Sequence, residues 1–287
     1  MKPTELYVAT LAVVLGCVGP ARTDMSERAR GFLENSGYRF QTIESSNARI
    51  HSLEGTFAGL DPSVLVQRVE QARGVVLRKL GIPEFWPTLD VFYVETRGDM
   101  ERLTGYPVTG MSYSQDHMVA LVFSETWRAF ERHEISHVIS RSVWGEPGPP
   151  EAPALEGLAV FVDGDCAGYP VGRVVRAMYD RQLLLDTDRL FGSFRAEDDL
   201  VAYLQAGSLF DFVAASGGVE AVREVWESGF ADAPRTLGLD LPEFERRWRV
   251  ELESRWEPVP DEAWLQIRAE GCGIDAVPTA ASEPDRG

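Results

Sequence analysis

The chain has 287 residues, room for one large domain or two small ones, and 44% of them are hydrophobic, enough for a sizeable core. Acidic residues number 45 against 28 basic ones, a formal net charge of -17. A field this acidic excludes nucleic-acid binding through bulk electrostatics and repels anionic lipid headgroups, and no run of Lys or Arg makes a local exception.

At the N-terminus, Lys2 precedes an apolar segment over 6–15, followed by Gly16-Cys17. The segment is shorter than the roughly 20 residues a spanning helix needs and has the layout of a secretory signal. Val14-Leu15-Gly16-Cys17 resembles a bacterial lipobox, so the expectation is export with a lipid anchor on Cys17 as the one link to a membrane. An ordinary cleaved signal or an apolar N-terminal helix are the alternatives. Export leaves Cys166 and Cys272 as an even pair in an oxidising compartment. They either join the C-terminal segment to the middle of the chain or remain two buried thiols.

Residues 26–35 read as a short helix, and 38–53 as strand from their rough alternation. Asp61-Pro62 opens a helix whose apolar positions, among them Leu65, Val69, Ala72 and Val76, recur with a period near 3.6 until Gly81 closes it. Residues 89–94 read as strand, 97–103 as a short helix, 105–110 as a turn-rich loop and 118–123 as a further strand. An open edge on that last strand would pair with an extended peptide. A helix then runs through His133, with Ser124 as its N-cap and Glu125 in its first turn, and stops at Gly145 and Pro147. Behind a Pro-rich loop, a second helix starts near Pro153 and ends by Gly164. Helices follow over 171–185, 200–216, 219–227 and 241–255, the last carrying Phe244, Trp248 and Leu252 on one stripe. From about 277 the composition reads as disordered.

Strands and helices mixed first, then helices alone, indicate an α+β fold: a small mixed sheet beside the His133 helix, followed by a mostly helical C-terminal half. The chain divides into 1–17 (signal), 18–60 (N-terminal segment), 61–256 (main domain) and 257–287 (C-terminal segment).

The chemistry concentrates at His133-Glu134-Ile135-Ser136-His137. On a helix, residues four apart share a face, so both imidazoles can grip one metal ion while Glu134 stands beside it as a proton acceptor. A catalytic zinc takes three protein ligands and keeps one position open. Glu156, behind the Pro-rich loop on the second helix, is the natural third ligand, and the small Gly157 and Ala159 would let that helix approach the first closely.

His133-Glu134-x-x-His137, eighteen intervening residues and then Glu156-Gly157-Leu158-Ala159 resemble the gluzincin metallopeptidases, nearest the peptidase MA-like domains of bacterial exported proteins. The stretch 202–213, with its Tyr203 and Gly207-Ser208 pair, is similar to one that branch carries downstream. An aromatic residue common before its E-G-x-A is replaced here by Pro153-Ala154-Leu155.

The resemblance implies a zincin-like fold, one Zn²⁺ on His133, His137 and Glu156, and Glu134 as general base in the hydrolysis of a peptide or protein substrate. A Tyr or His supplies the oxyanion donor in gluzincins. Tyr203 takes that place by position, with Tyr179 and Tyr169 behind it and a core aromatic as its alternative role. Asp163 is a candidate to orient an imidazole or else a helix-end residue. His51 and His117 lie outside the motifs and are not assigned to the metal. The other class of function is an inactive zincin-like lipoprotein serving as a peptide-binding or envelope scaffold.

Overall fold

The computed structural model describes residues 23–274. The predicted Cys17 anchor and the tail beyond about 277 lie outside them. The first half runs α1 (Glu27–Asn35), β1 (Phe40–Glu44), β2 (Ala48–Leu53), α2 (Phe57–Leu60), α3 (Pro62–Lys79), β3 (Leu89–Val94), α4 (Arg97–Thr104), β4 (Gly110–Tyr113) and β5 (Met118–Val122). Then come α5 (Glu131–Trp144), α6 (Glu151–Asp163), the small ribbon β6 (Asp165–Cys166) and β7 (Tyr169–Pro170), and α7 (Val171–Asp180). The chain continues through α8 (Thr187–Gly192), α9 (Asp199–Ser228), α10 (Ala233–Thr236), α11 (Leu241–Arg255) and α12 (Asp261–Glu270). The α+β class expected from the sequence is what the chain adopts.

Five strands form one mixed sheet in the order β1-β2-β3-β5-β4. The β2–β3 and β3–β5 pairs are parallel, and β1 and β4 run antiparallel at the two edges. The N-terminal segment 18–60, set apart in the sequence, thus supplies two strands of the same sheet that borders α5. Every residue of β3 and β5 is buried because both faces are covered. Side chains alternate between two cores, as a period of two requires. Val91, Tyr93, Val119 and Leu121 pack on the side of α3 and α5. Phe92, Val94, Met118 and Ala120 pack with Ala29 of α1 and Met100 of α4.

Two expectations change. The strand over 118–123 is not an open edge: β4, hidden in a Gly-rich turn sequence, pairs along it, and β4 is itself the edge. The two helices expected over 200–216 and 219–227 both form: they run together as α9, and helical geometry breaks between them at Gly218, where φ is 73° and ψ is -170°. The C-terminal segment carries a helix, α12, that its sequence did not suggest.

Candidate metal centre

The first turn of the site helix lies later than expected. Ser124 does not cap it. Ser124 and Trp127 close a tight turn, Trp127 bridges to Ile274, and the Arg128 amide donates to the Gly273 carbonyl at 2.8 Å, so the chain stays extended until Phe130. From Glu131 to Ser140, α5 is almost wholly buried. Glu131 anchors it: Arg68 of α3 donates Nε to Oε1 at 2.6 Å and Nη2 to Oε2 at 3.0 Å, while the Tyr93 hydroxyl of β3 donates to Oε1 at 3.0 Å. Gly145 ends the helix.

The close approach provided by Gly157 serves a different neighbour from the one expected. A Cβ there would lie 2.9 Å from the Ala206 Cβ of α9, and one at Gly207 would lie 2.3 Å from Val160 Cγ1, so small residues press α6 onto α9 rather than onto α5. That contact fixes Glu156 from behind and turns it toward α5.

The two helices bring the three expected ligands together. Glu156 Oε2 lies 3.3 Å from His133 Nε2 and 3.6 Å from His137 Nε2, with the imidazoles steeply inclined at 83°. All three donor atoms fall within 4.8 Å of one another. Bonds of about 2.0–2.1 Å arranged tetrahedrally separate neighbouring donors by about 3.3–3.4 Å, so spacing and donor chemistry fit a metal ion. Glu134 stands at the same place. A Cβ on Gly110 of β4 would lie 2.3 Å from its Oε1, so the edge strand leaves room for this carboxylate only because residue 110 is glycine.

Burial alone would lower the His133 imidazole, but its hydrogen bond to Glu156 and the surrounding carboxylates hold it above the usual histidine range. The Glu156 carboxyl, which burial would raise, is held well below its usual range by hydrogen bonds with both imidazoles. Glu134 goes the other way: burial, outweighing the two imidazoles, raises it.

These residues line a cleft of about 710 Å³, which also borders Gly110 and Met111 of β4, Trp127, Phe130 and Leu204. Tyr203 of α9 belongs to its wall, where burial and the nearby Glu156 charge raise its hydroxyl so that it keeps its proton. Tyr179 and Tyr169 are not among the described lining residues, and Tyr179 hydrogen-bonds Glu253 instead. Asp163 does not orient an imidazole: it pairs with Arg128 at 2.8 Å. His51 is buried against Asp90, and the His117 ring packs on Phe85. Neither belongs to the group formed by His133, His137 and Glu156.

The end of the cleft is walled by Gly271 and Cys272, and Cys166 and Cys272 form a disulfide, with their Cα atoms 4.3 Å apart. Arg128 reinforces it, donating Nε to the Cys272 carbonyl at 3.1 Å. Sequence reasoning missed Arg195, whose guanidinium reaches both Glu156 and Tyr203. A lone arginine in a surface turn carries no signal of its own. No protein-family profile matches the chain, and no curated protein matches it.

Proposed function

We propose that this chain is a zinc-dependent metallopeptidase of gluzincin type with a zincin-like fold, exported and held at the cell envelope by a lipid on Cys17, and cleaving peptide or protein substrates. The observation that carries the reading is the meeting of His133 Nε2, His137 Nε2 and Glu156 Oε2, with the Glu134 carboxylate beside them, in an open cleft. A zinc ion held by these three side chains would supply Lewis acidity and lower the pKa of a coordinated water toward 7.

The protein's own groups divide the remaining work. Glu134, buried and more basic than an exposed carboxylate, accepts a proton at a carboxylate oxygen and returns it to the leaving nitrogen. Tyr203, kept protonated, is a hydroxyl donor for the oxyanion that develops on the scissile carbonyl. Among the described residues the outer edge of β4 pairs with no further strand and stands available to an extended substrate, and its residues 110–112 border the cleft. The apolar walls from Trp127, Phe130 and Leu204 exclude water from that contact.

The test is metal content together with turnover. The purified chain should carry one zinc and cleave a fluorogenic peptide library. Glu134→Gln should retain the metal and lose about 10²- to 10⁴-fold in rate. A chain that binds no zinc in zinc-replete medium sinks the reading. Bound zinc with no cleavage across the library favours the scaffold role instead.

A further inference from the structure

Glu156 gives its two carboxylate oxygens to different partners. Oε2 faces both imidazoles, while Oε1 accepts a hydrogen bond from Arg195 Nη2 at 3.0 Å. The other arm of the same guanidinium, Nη1, donates to the Tyr203 hydroxyl at 2.8 Å. Arg195 stands in the short 3-10 turn Phe194–Ala196 between α8 and α9. That turn is held in place independently of the guanidinium. Phe194 is buried and stacks on the Tyr203 ring with centroids 5.4 Å apart, and Glu197 just beyond accepts from Arg189 Nε at 3.0 Å and from Ser193 Oγ at 2.7 Å. The Arg195 side chain itself is 59% exposed, so packing does not dictate where its head lies.

A glutamate ligand can hold a metal through one oxygen or through both. Each extra protein oxygen on the metal uses up a position that a catalytic site must leave open. A donor fixed on Oε1 engages that oxygen and leaves Oε2 as the ligand atom. Arginine suits the task where lysine would not, because its planar fork reaches a carboxylate and a hydroxyl at once with little freedom left to lose.

We infer that Arg195 is a positioning residue of the metal centre, holding Glu156 to one-oxygen ligation and fixing the Tyr203 hydroxyl beside it. The inference rests on the metal-site reading above and concerns a residue outside the ligand motif.

The test compares wild type, Arg195→Met and Arg195→Lys, each folded by circular dichroism. Zinc affinity is read by chelator competition and coordination number by the visible absorption of the cobalt(II)-loaded protein. Arg195→Met should weaken zinc about 10- to 100-fold, the usual cost of losing a partner that orients a ligand. It should also weaken the cobalt bands, as Glu156 swings to bind through both oxygens. Arg195→Lys should recover part of the affinity. Arg195→Gln carries the same test if the methionine variant does not fold. Wild-type affinity and spectrum in the Arg195 variants overturn the inference while the metallopeptidase reading stands. A wild type that takes up neither ion overturns both.

Discussion

Two clusters in this molecule use the same three residue types and reach opposite ends. Inside the sheet, Asp90 receives Arg49 through both oxygens, Nε at 2.6 Å and Nη2 at 2.8 Å, and lies 3.3 Å from His51 Nε2. The other His51 nitrogen meets the Thr42 hydroxyl at 2.8 Å, and the ring stacks on Phe92. Every polar atom of the imidazole is used, and His51 and Asp90 are at most 1% exposed. At the cleft, Glu156 divides its oxygens between Arg195 and two imidazoles whose Nε2 atoms converge on one point beside open volume. Histidine, carboxylate and arginine therefore do not announce a site by themselves. What separates structure from function is whether the donors are saturated by protein or left facing a space that something else can fill.

The largest expected effect tests the closed cluster. Asp90→Ala leaves the Arg49 guanidinium buried without its partner, and should cost about 3–5 kcal/mol in urea unfolding while metal content stays at the wild-type level. Glu156→Ala should show the reverse, a chain that folds, read by circular dichroism, but loses its metal. If both variants lose both properties, the two clusters are not independent.

Replacing Cys166 and Cys272 by serine should lower stability by about 2–5 kcal/mol, with reductant destabilising wild type to match. The cleft wall should loosen and the Asp90 cluster remain. Gly110→Ala brings a methyl against Glu134 and should cut peptide turnover about 10²-fold, the scale of a misplaced catalytic group, with zinc content unchanged.

The smallest effects are in pH. Although burial would raise the Asp90 carboxyl, Arg49 and His51 hold it below the usual range in the folded state. Its contribution is therefore complete above the unfolded value of about 3.9 and lost as pH falls through the folded one, and unfolding of Asp90→Asn should lack this acid-sensitive component. Glu134 has the opposite sign. Its raised folded-state value means that its contribution is present in acid and lost as pH rises. Metal-free Glu134→Gln should thus be at least as stable as wild type at neutral pH by thermal unfolding, the expected mark of a residue kept for chemistry.

Local rules made much of this readable from the residues. The strand over 89–94, the helix after Asp61-Pro62 and the Phe244-Trp248-Leu252 stripe follow from period and capping, and the shared face of His133 and His137 follows from helical spacing. Glu156 was legible because the Pro-rich loop and a known motif placed it. What escaped depends on distant chain. Ser124 looks like a helix cap, but Ile274 and Gly273 hold the residues after it extended. The strand β4 is four residues in a glycine-bearing turn, and only its register with β5 makes it a strand. Gly157 carried the right signal, a close approach, and the wrong partner, because nothing local says which helix arrives. Arg195 matters only through where Phe194 anchors its turn.

The strap that walls the cleft has a consequence for biosynthesis. Trp127 and Arg128, which set where the helix carrying His133 and His137 begins, take their backbone partners from residues 273 and 274, at the far end of the described residues. A polypeptide emerging in order can pair its sheet and wind α5 and α6 before those partners exist. The wall at that end of the cleft forms only when the last of them arrives and Cys272 meets Cys166. The wall of the cleft thus depends on residues 271–274, and a copy cut before Cys272 keeps His133, His137 and Glu156 while lacking one side of the chamber around them.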